Sequence, residues 1–196
     1  MEPFTKLKAA ALPVSQPNVD TDQILPARYL QKPRSENFGN FLFRDLRARA
    51  DGTENSDFLL NRPGYRDARI LVAEHNFACG SSREHAVWAL YDYGFRAVIA
   101  PSLGDIFQSN AARNGLLTIL LPAPVIVSML KTLEAAPGLE IAIDLPDQTV
   151  TWGNGEVEHF QIEPYRKQCL LQGLDQLGYT LGQMPAIEAF EKNYPG

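Results

Sequence analysis

Residues 68–101 read "ARILVAEHNFACGSSREHAVWALYDYGFRAVIAP". The opening run, ARILVAE, is apolar and short and predicts a buried strand. Gly80 marks a turn, a helix is predicted from Ser82 to about Tyr93, and Gly94 is a suitable C-terminal stop. RAVIAP (96–101) then reads as a second apolar strand. The same alternation continues outward. LGDIFQSNAARNG (103–115) predicts a helix stopped at Asn114-Gly115, LLTILLP (116–122) a third strand, and APVIVSMLKTLEAAPG (123–138) a further helix. Strand–helix alternation of this kind predicts an α/β core with parallel pairing.

The flanks differ. Residues 5–14 are expected to form a strand, LEIAIDLPDQTVTW (139–152) a hairpin around Pro146-Asp147, and VEHFQI (157–162) another strand. EPYRKQCLLQGLDQLGYTL (163–181) closes the chain as helix, followed by a tail. Residues 31–66 are polar and punctuated, with a short helix expected over FGNFLFRDLR (38–47) and turns at DGTENS and RPGY. So long an irregular segment is usually a functional or mobile loop. There is no internal repeat and no low-complexity linker, so residues 1–196 are expected to form a single domain.

The chain has 196 residues, 45% hydrophobic and 21% charged, with a formal net charge of -5. That is ordinary for a soluble globular protein. With no basic run, nucleic acid is not an expected partner. No stretch approaches the ~18 apolar residues of a membrane span, and no signal-peptide core is visible, so a cytoplasmic location without membrane contact is expected. The two cysteines, Cys79 and Cys169, and the three histidines, His75, His85 and His159, are scattered. No metal site is therefore expected in this chain.

The chemistry gathers at ACGSSREHAVWAL (78–90). Ser81-x-x-Glu84 has the spacing of a capping box, the commoner fate of such a pair. The nucleophile elbow G-x-S-x-G is absent, and His85 has no assignable acid, so a catalytic triad is not supported. A glycine turn entering a helix N-terminus is nonetheless an anion site, and Arg83 adds a fork suited to a carboxylate. Ser82 would then cap while Ser81 faces outward. Asp20-Thr21-Asp22 forms an Asx-type turn, functional only if it approaches Ser81. Arg28, Lys32 and Arg34 follow in a loop, and Glu74 and His75 end the strand before Gly80.

Three ordered stretches carry a family likeness: NVDTDQILPARYL, FACGSSREHAVWAL and GFRAVIAPSLGDIFQSNAARNGLL. Together with FGNFLFRDLR and LLQGLDQLGYTL, they resemble the 3-isopropylmalate dehydratase small-subunit family, within the aconitases. The likeness runs from about Thr5 to Leu181. It implies the swivelling β/β/α domain of that family with a C-terminal helical extension (163–196). It also implies a large-subunit partner whose cysteines hold a [4Fe–4S] cluster that acts as Lewis acid, with none bound here.

By the same resemblance Ser81 matches the catalytic base, and Ser82 and Arg83 match contacts to the substrate carboxylate. Gly80 and His85 belong to the motif, and Asp22 matches the acid of the T-D-x-I motif near the serine. The loop after Tyr29, leading into the 31–66 region, is where the family sets its side-group preference, and Arg28, Lys32 and Arg34 around its start are the implied substrate-binding residues. The implied reaction is isomerisation of 2-isopropylmalate to 3-isopropylmalate through 2-isopropylmaleate, in leucine biosynthesis. Two alternatives stay open: the small subunit of a related hydro-lyase acting on homoaconitate or citraconate-type diacids, and a non-catalytic anion-binding module.

Overall fold

Strand β1 (Lys6–Val14) divides its length between two kinds of neighbour. Its first half, Lys6 to Ala10, pairs antiparallel with β5 (Glu140–Asp144), and its second, Ala11 to Val14, pairs parallel with β2 (Ile70–Ala73). Beyond β2 lie β3 (Ala97–Ala100) and β4 (Leu117–Leu120), both parallel, and beyond β5 lie β6 (Thr149–Trp152) and β7 (Glu156–His159), both antiparallel. The result is a curled seven-stranded sheet in the order β4-β3-β2-β1-β5-β6-β7. The computed structural model describes residues 1–34, 38–81 and 83–194.

The central parallel strands β2 and β3, ILVA and AVIA, are apolar and buried at every position because both their faces are covered. Side chains alternate between the two faces. Leu71, Ala73, Val98 and Ala100 enter one core with helix α3 (Glu84–Tyr93) and helix α4 (Asp105–Arg113). Ile70, Val72, Ala97 and Ile99 enter the other, with helix α5 (Ala123–Ala135). The stop residues act as their sequence implies: Gly94 ends α3 at φ 127°, and Asn114 ends α4 before Gly115 at φ 80°.

Two expectations change. The 31–66 segment is irregular and largely exposed, but several of its side chains anchor it in the core. Phe38, Leu42, Phe43, Leu60 and Tyr65 are buried against α3 and the sheet. The helix expected over 38–47 is broken: a 3₁₀ turn (Phe38–Phe41) and a single turn α2 (Arg44–Arg47) flank Phe43, which is left-handed at φ 47°. The cause is tertiary, since Phe43 N–H donates to Ile24 C=O at 2.7 Å, at the end of helix α1 (Thr21–Ile24). Backbone polar groups here are satisfied from inside: Asn61 Nδ2 donates to Arg47 C=O at 2.7 Å and Asn55 C=O at 2.8 Å. Burial holds the Arg47 guanidinium below the ordinary arginine pKa, over the Tyr93 ring at 4.8 Å.

The terminal helix is also interrupted. Helix α6 (Pro164–Gln172) stops at Gly173, φ 67°, and the chain resumes as α7 (Gln176–Gly182) and α8 (Met184–Asn193). The expected tail is therefore helical through most of its length.

Candidate active site

Three loops leave the C-terminal ends of β1, β2 and β3, the edge where open α/β sheets bind ligands. They are sewn together by backbone. Asn18 N–H donates to His75 C=O at 3.0 Å, Asn76 N–H to Ser102 Oγ at 2.8 Å, and Gly104 N–H to Phe77 C=O at 3.0 Å. The β2 loop reaches α3 through backbone that only a tight turn demands: Asn76, Ala78 and Gly80 all lie at positive φ, 58°, 57° and 89°. A non-glycine residue such as Ala78 in the left-handed region costs energy, and such residues cluster at functional sites.

That turn presents Ser81 to solvent, with Arg83 following as the N-cap of α3. Ser81 and Glu84 do not form the expected capping box, since α3 has no side-chain cap. Glu84 is drawn away: its Oε1 accepts from Asn114 Nδ2 at 2.8 Å. The turn instead closes on itself, Arg83 N–H donating to Ser81 C=O at 2.8 Å. Ser82, expected to cap or to bind substrate, lies outside the described residues.

The Asp20-Thr21-Asp22 run does approach this turn. Asp20 caps α1, accepting from Gln23 N–H at 2.8 Å, and bridges Cys79 as a parallel β-pair. Thr21 N–H donates to Cys79 C=O at 3.0 Å, and its hydroxyl donates to Ser81 C=O at 3.1 Å. Asp22 pairs with the Arg83 guanidinium, whose side chain is only 17% exposed although its partner is 53% exposed. A sunken arginine with an exposed hydroxyl beside it, at a helix N-terminus, is suited to hold a carboxylate while a proton moves nearby. Cys79 shares the turn and is half-buried, while Cys169 is buried on α6. The two stand on different elements, and no group of three His, Cys, Asp or Glu side chains comes together as a metal site among the described residues. The two cysteines, on separate elements, do not make the thiolate set that a [4Fe–4S] cluster needs.

Residues 1–124 match the Aconitase C-terminal domain family, and residues 128–164 match LeuD_N. A "3-isopropylmalate dehydratase small subunit" from Chloroflexus aurantiacus is 48% identical over 197 residues, covering 100% of this chain and 97% of the relative. Its counterpart from Rhodospirillum centenum is 47% identical over 191 residues, 97% of this chain and 94% of the relative. The chain belongs to the 3-isopropylmalate dehydratase small-subunit family. Among solved structures, a 3-isopropylmalate dehydratase (leuD) from Methanocaldococcus jannaschii superposes with a TM-score of 0.67 at 25% identity, over 95% of this chain and 99% of that one.

Within this small-subunit fold, the remaining candidates are spread over neighbouring elements. Arg28 forms a bidentate pair with Asp45, which raises the guanidinium pKa further and holds the Asp45 carboxyl below the usual carboxylate range. Arg34 is clamped to Asp92 at 2.7 and 3.0 Å and to Asn114 Oδ1 at 3.1 Å, with its guanidinium over the Trp88 ring. Lys32 is exposed and, among the described residues, has no ion pair. His85 packs its ring 4.5 Å from Trp88 and 6.3 Å from Phe38, an aromatic-wall position. His75 Nδ1 meets Glu74 Oε2 at 3.1 Å. No helix among the described residues is long and apolar enough to cross a membrane.

Thr21 stands out in the sequence only as the middle of the Asp20-Thr21-Asp22 turn, and Gly104 does not stand out at all. A Cβ added at Gly104 would sit 2.5 Å from Ala78 C=O, so α4 begins where only glycine lets it press on the Ser81 loop. Its φ of -58° suits alanine, so the clash alone decides the outcome. Gly104→Ala is expected to cost about 1–3 kcal/mol of stability. By shifting the 77–80 turn it is expected to lower turnover of the assembled enzyme up to ~10²-fold. Steady-state rates beside a melting curve check this. Unchanged turnover would mean the turn does not set the chemistry.

Proposed function

We propose that this chain is the small subunit of a 3-isopropylmalate dehydratase, a hydro-lyase of leucine biosynthesis, and that Ser81 is its general base. Ser81 takes the proton from the carbon adjacent to a carboxylate of 2-isopropylmalate, and the hydroxyl departs from the neighbouring carbon to leave 2-isopropylmaleate. Readdition of water with the opposite regiochemistry gives 3-isopropylmalate, Ser81 returning the proton. The observation that carries this reading is the convergence of Ser81, Arg83 and Asp22, from two distant segments, on the C-terminal edge of the parallel sheet.

Charge accumulates on the substrate carboxylate as the proton leaves, and groups already aimed at that charge lower the barrier. Arg83 and the N-terminus of α3 have that role, Asp22 holding the guanidinium in place. Ser82 contributes a second carboxylate contact, Gly80 supplies the turn, and His85 forms part of the site wall. Arg28, Lys32 and Arg34 read the substrate side group from the start of the 31–66 segment and the turn just before it. Of these, Lys32 is best placed to do so directly, because Arg28 and Arg34 would first have to release Asp45 and Asp92.

The partner is the large subunit, to which the [4Fe–4S] cluster is assigned. Residues 1–196 work as one cytoplasmic unit without contact with nucleic acid or membrane, in keeping with a net charge of -5. The purified two-subunit complex, offered 2-isopropylmalate, homoaconitate and citraconate-type diacids with the alkene followed by ultraviolet absorbance, is expected to turn over the isopropyl substrates fastest. Preference for another diacid would reassign the chain to a related hydro-lyase.

A further inference from the structure

Ser81 sits between two freedoms. Gly80 before it, at φ 89°, is the residue type whose backbone is least restrained, and the Ser81 side chain projects from an exposed bend. A base that must meet one substrate hydrogen needs its backbone held. Among the described residues, two donors reach the Ser81 carbonyl. One is Arg83 N–H at 2.8 Å, two residues along and therefore moving with the turn. The other is the Thr21 hydroxyl at 3.1 Å, sixty residues away in sequence.

Thr21 is built to be rigid. It is 2% exposed, it opens α1 directly after the Asp20 cap, and its own N–H is fixed on Cys79 C=O at 3.0 Å. Its β-branched side chain has few rotamers to choose among. The same short helix carries Asp22, which pairs with Arg83, so adjacent residues of α1 hold the base and the carboxylate-binding arginine from one anchor.

We propose that Thr21 is a positioning residue for the Ser81 base, its buried hydroxyl fixing the Ser81 peptide and thereby the direction of the serine oxygen; this rests on the reading of Ser81 as base. Thr21→Val keeps the shape, the Cys79 bond and the local Arg83 bond, and removes only the tie between hydroxyl and carbonyl. Because misplacement by about 1 Å can cost ~10²-fold, Thr21→Val is expected to lower kcat about 10- to 100-fold with KM nearly unchanged. Thr21→Ser, which keeps the donor, restores most of the loss.

The measurement is kcat and KM of the two-subunit complex carrying each variant, well below its melting temperature, with assembly followed by size exclusion and Ser81→Ala run alongside. A loss in Thr21→Val rescued in Thr21→Ser supports the assignment. Equal rates in the valine and serine variants beside an inactive Ser81→Ala overturn it and leave the base reading standing. An active Ser81→Ala overturns both. If the valine variant fails to assemble, Thr21→Cys, a far weaker donor, gives the same comparison with Thr21→Ser.

Discussion

Ser81→Ala is expected to lower turnover of the assembled enzyme by at least ~10²-fold, and by as much as ~10⁴-fold, the range a positioned general base contributes. The fold should not notice. The Ser81 side chain is exposed, and its capping role is not taken up, so stability should stay within about 0.5 kcal/mol of the parent. KM should change little, because Arg83 and the α3 N-terminus, the groups proposed to hold the carboxylate, are untouched. The discriminating pattern is thus a fall in kcat with stability and assembly intact. A variant with near-normal kcat would remove Ser81 from the proton transfer and leave the turn as an anion site only.

The second large effect concerns the segment between β1 and β2. Phe38→Ala is expected to destabilise the chain by about 3–5 kcal/mol, the usual cost of emptying a buried aromatic site. Melting should fall by roughly 10 °C or more for a chain of this size. Phe38 is 1% exposed, edge-on to Phe41 at 5.5 Å and Trp88 at 6.0 Å. Its neighbour Gly39 presses so closely that an added Cβ would stand 2.4 Å from Tyr93 N, so the turn cannot slide to refill the space. Calorimetry on the purified chain checks this. A shift of only a degree or two would restore the picture of residues 31–66 as a mobile loop.

How the sequence carried this information differs from place to place. The parallel core was legible because ILVA and AVIA are apolar throughout and because Gly94 and Asn114-Gly115 end their helices by local backbone chemistry. The 38–47 segment was not, because Phe43 adopts its left-handed conformation to donate to Ile24, a contact between distant residues that no local pattern encodes. The site divides in the same way. Ser81, Arg83 and the glycine turn stand out by residue type and spacing. The hand-over of Glu84 from the cap to Asn114, and the reach of Thr21 to the Ser81 carbonyl, are tertiary events. Spacing does show that Asp20 can cap a turn; it does not show that the turn lies against Cys79.

On the proposed function, this chain supplies the base to a site it cannot complete alone. That is tested by purifying the chain and its large subunit separately and following the conversion of 2-isopropylmalate with each alone and with both mixed. Turnover is expected only in the mixture, and is abolished when the small subunit carries Ser81→Ala. Conversion by the isolated chain, or by the large subunit without it, would contradict that claim.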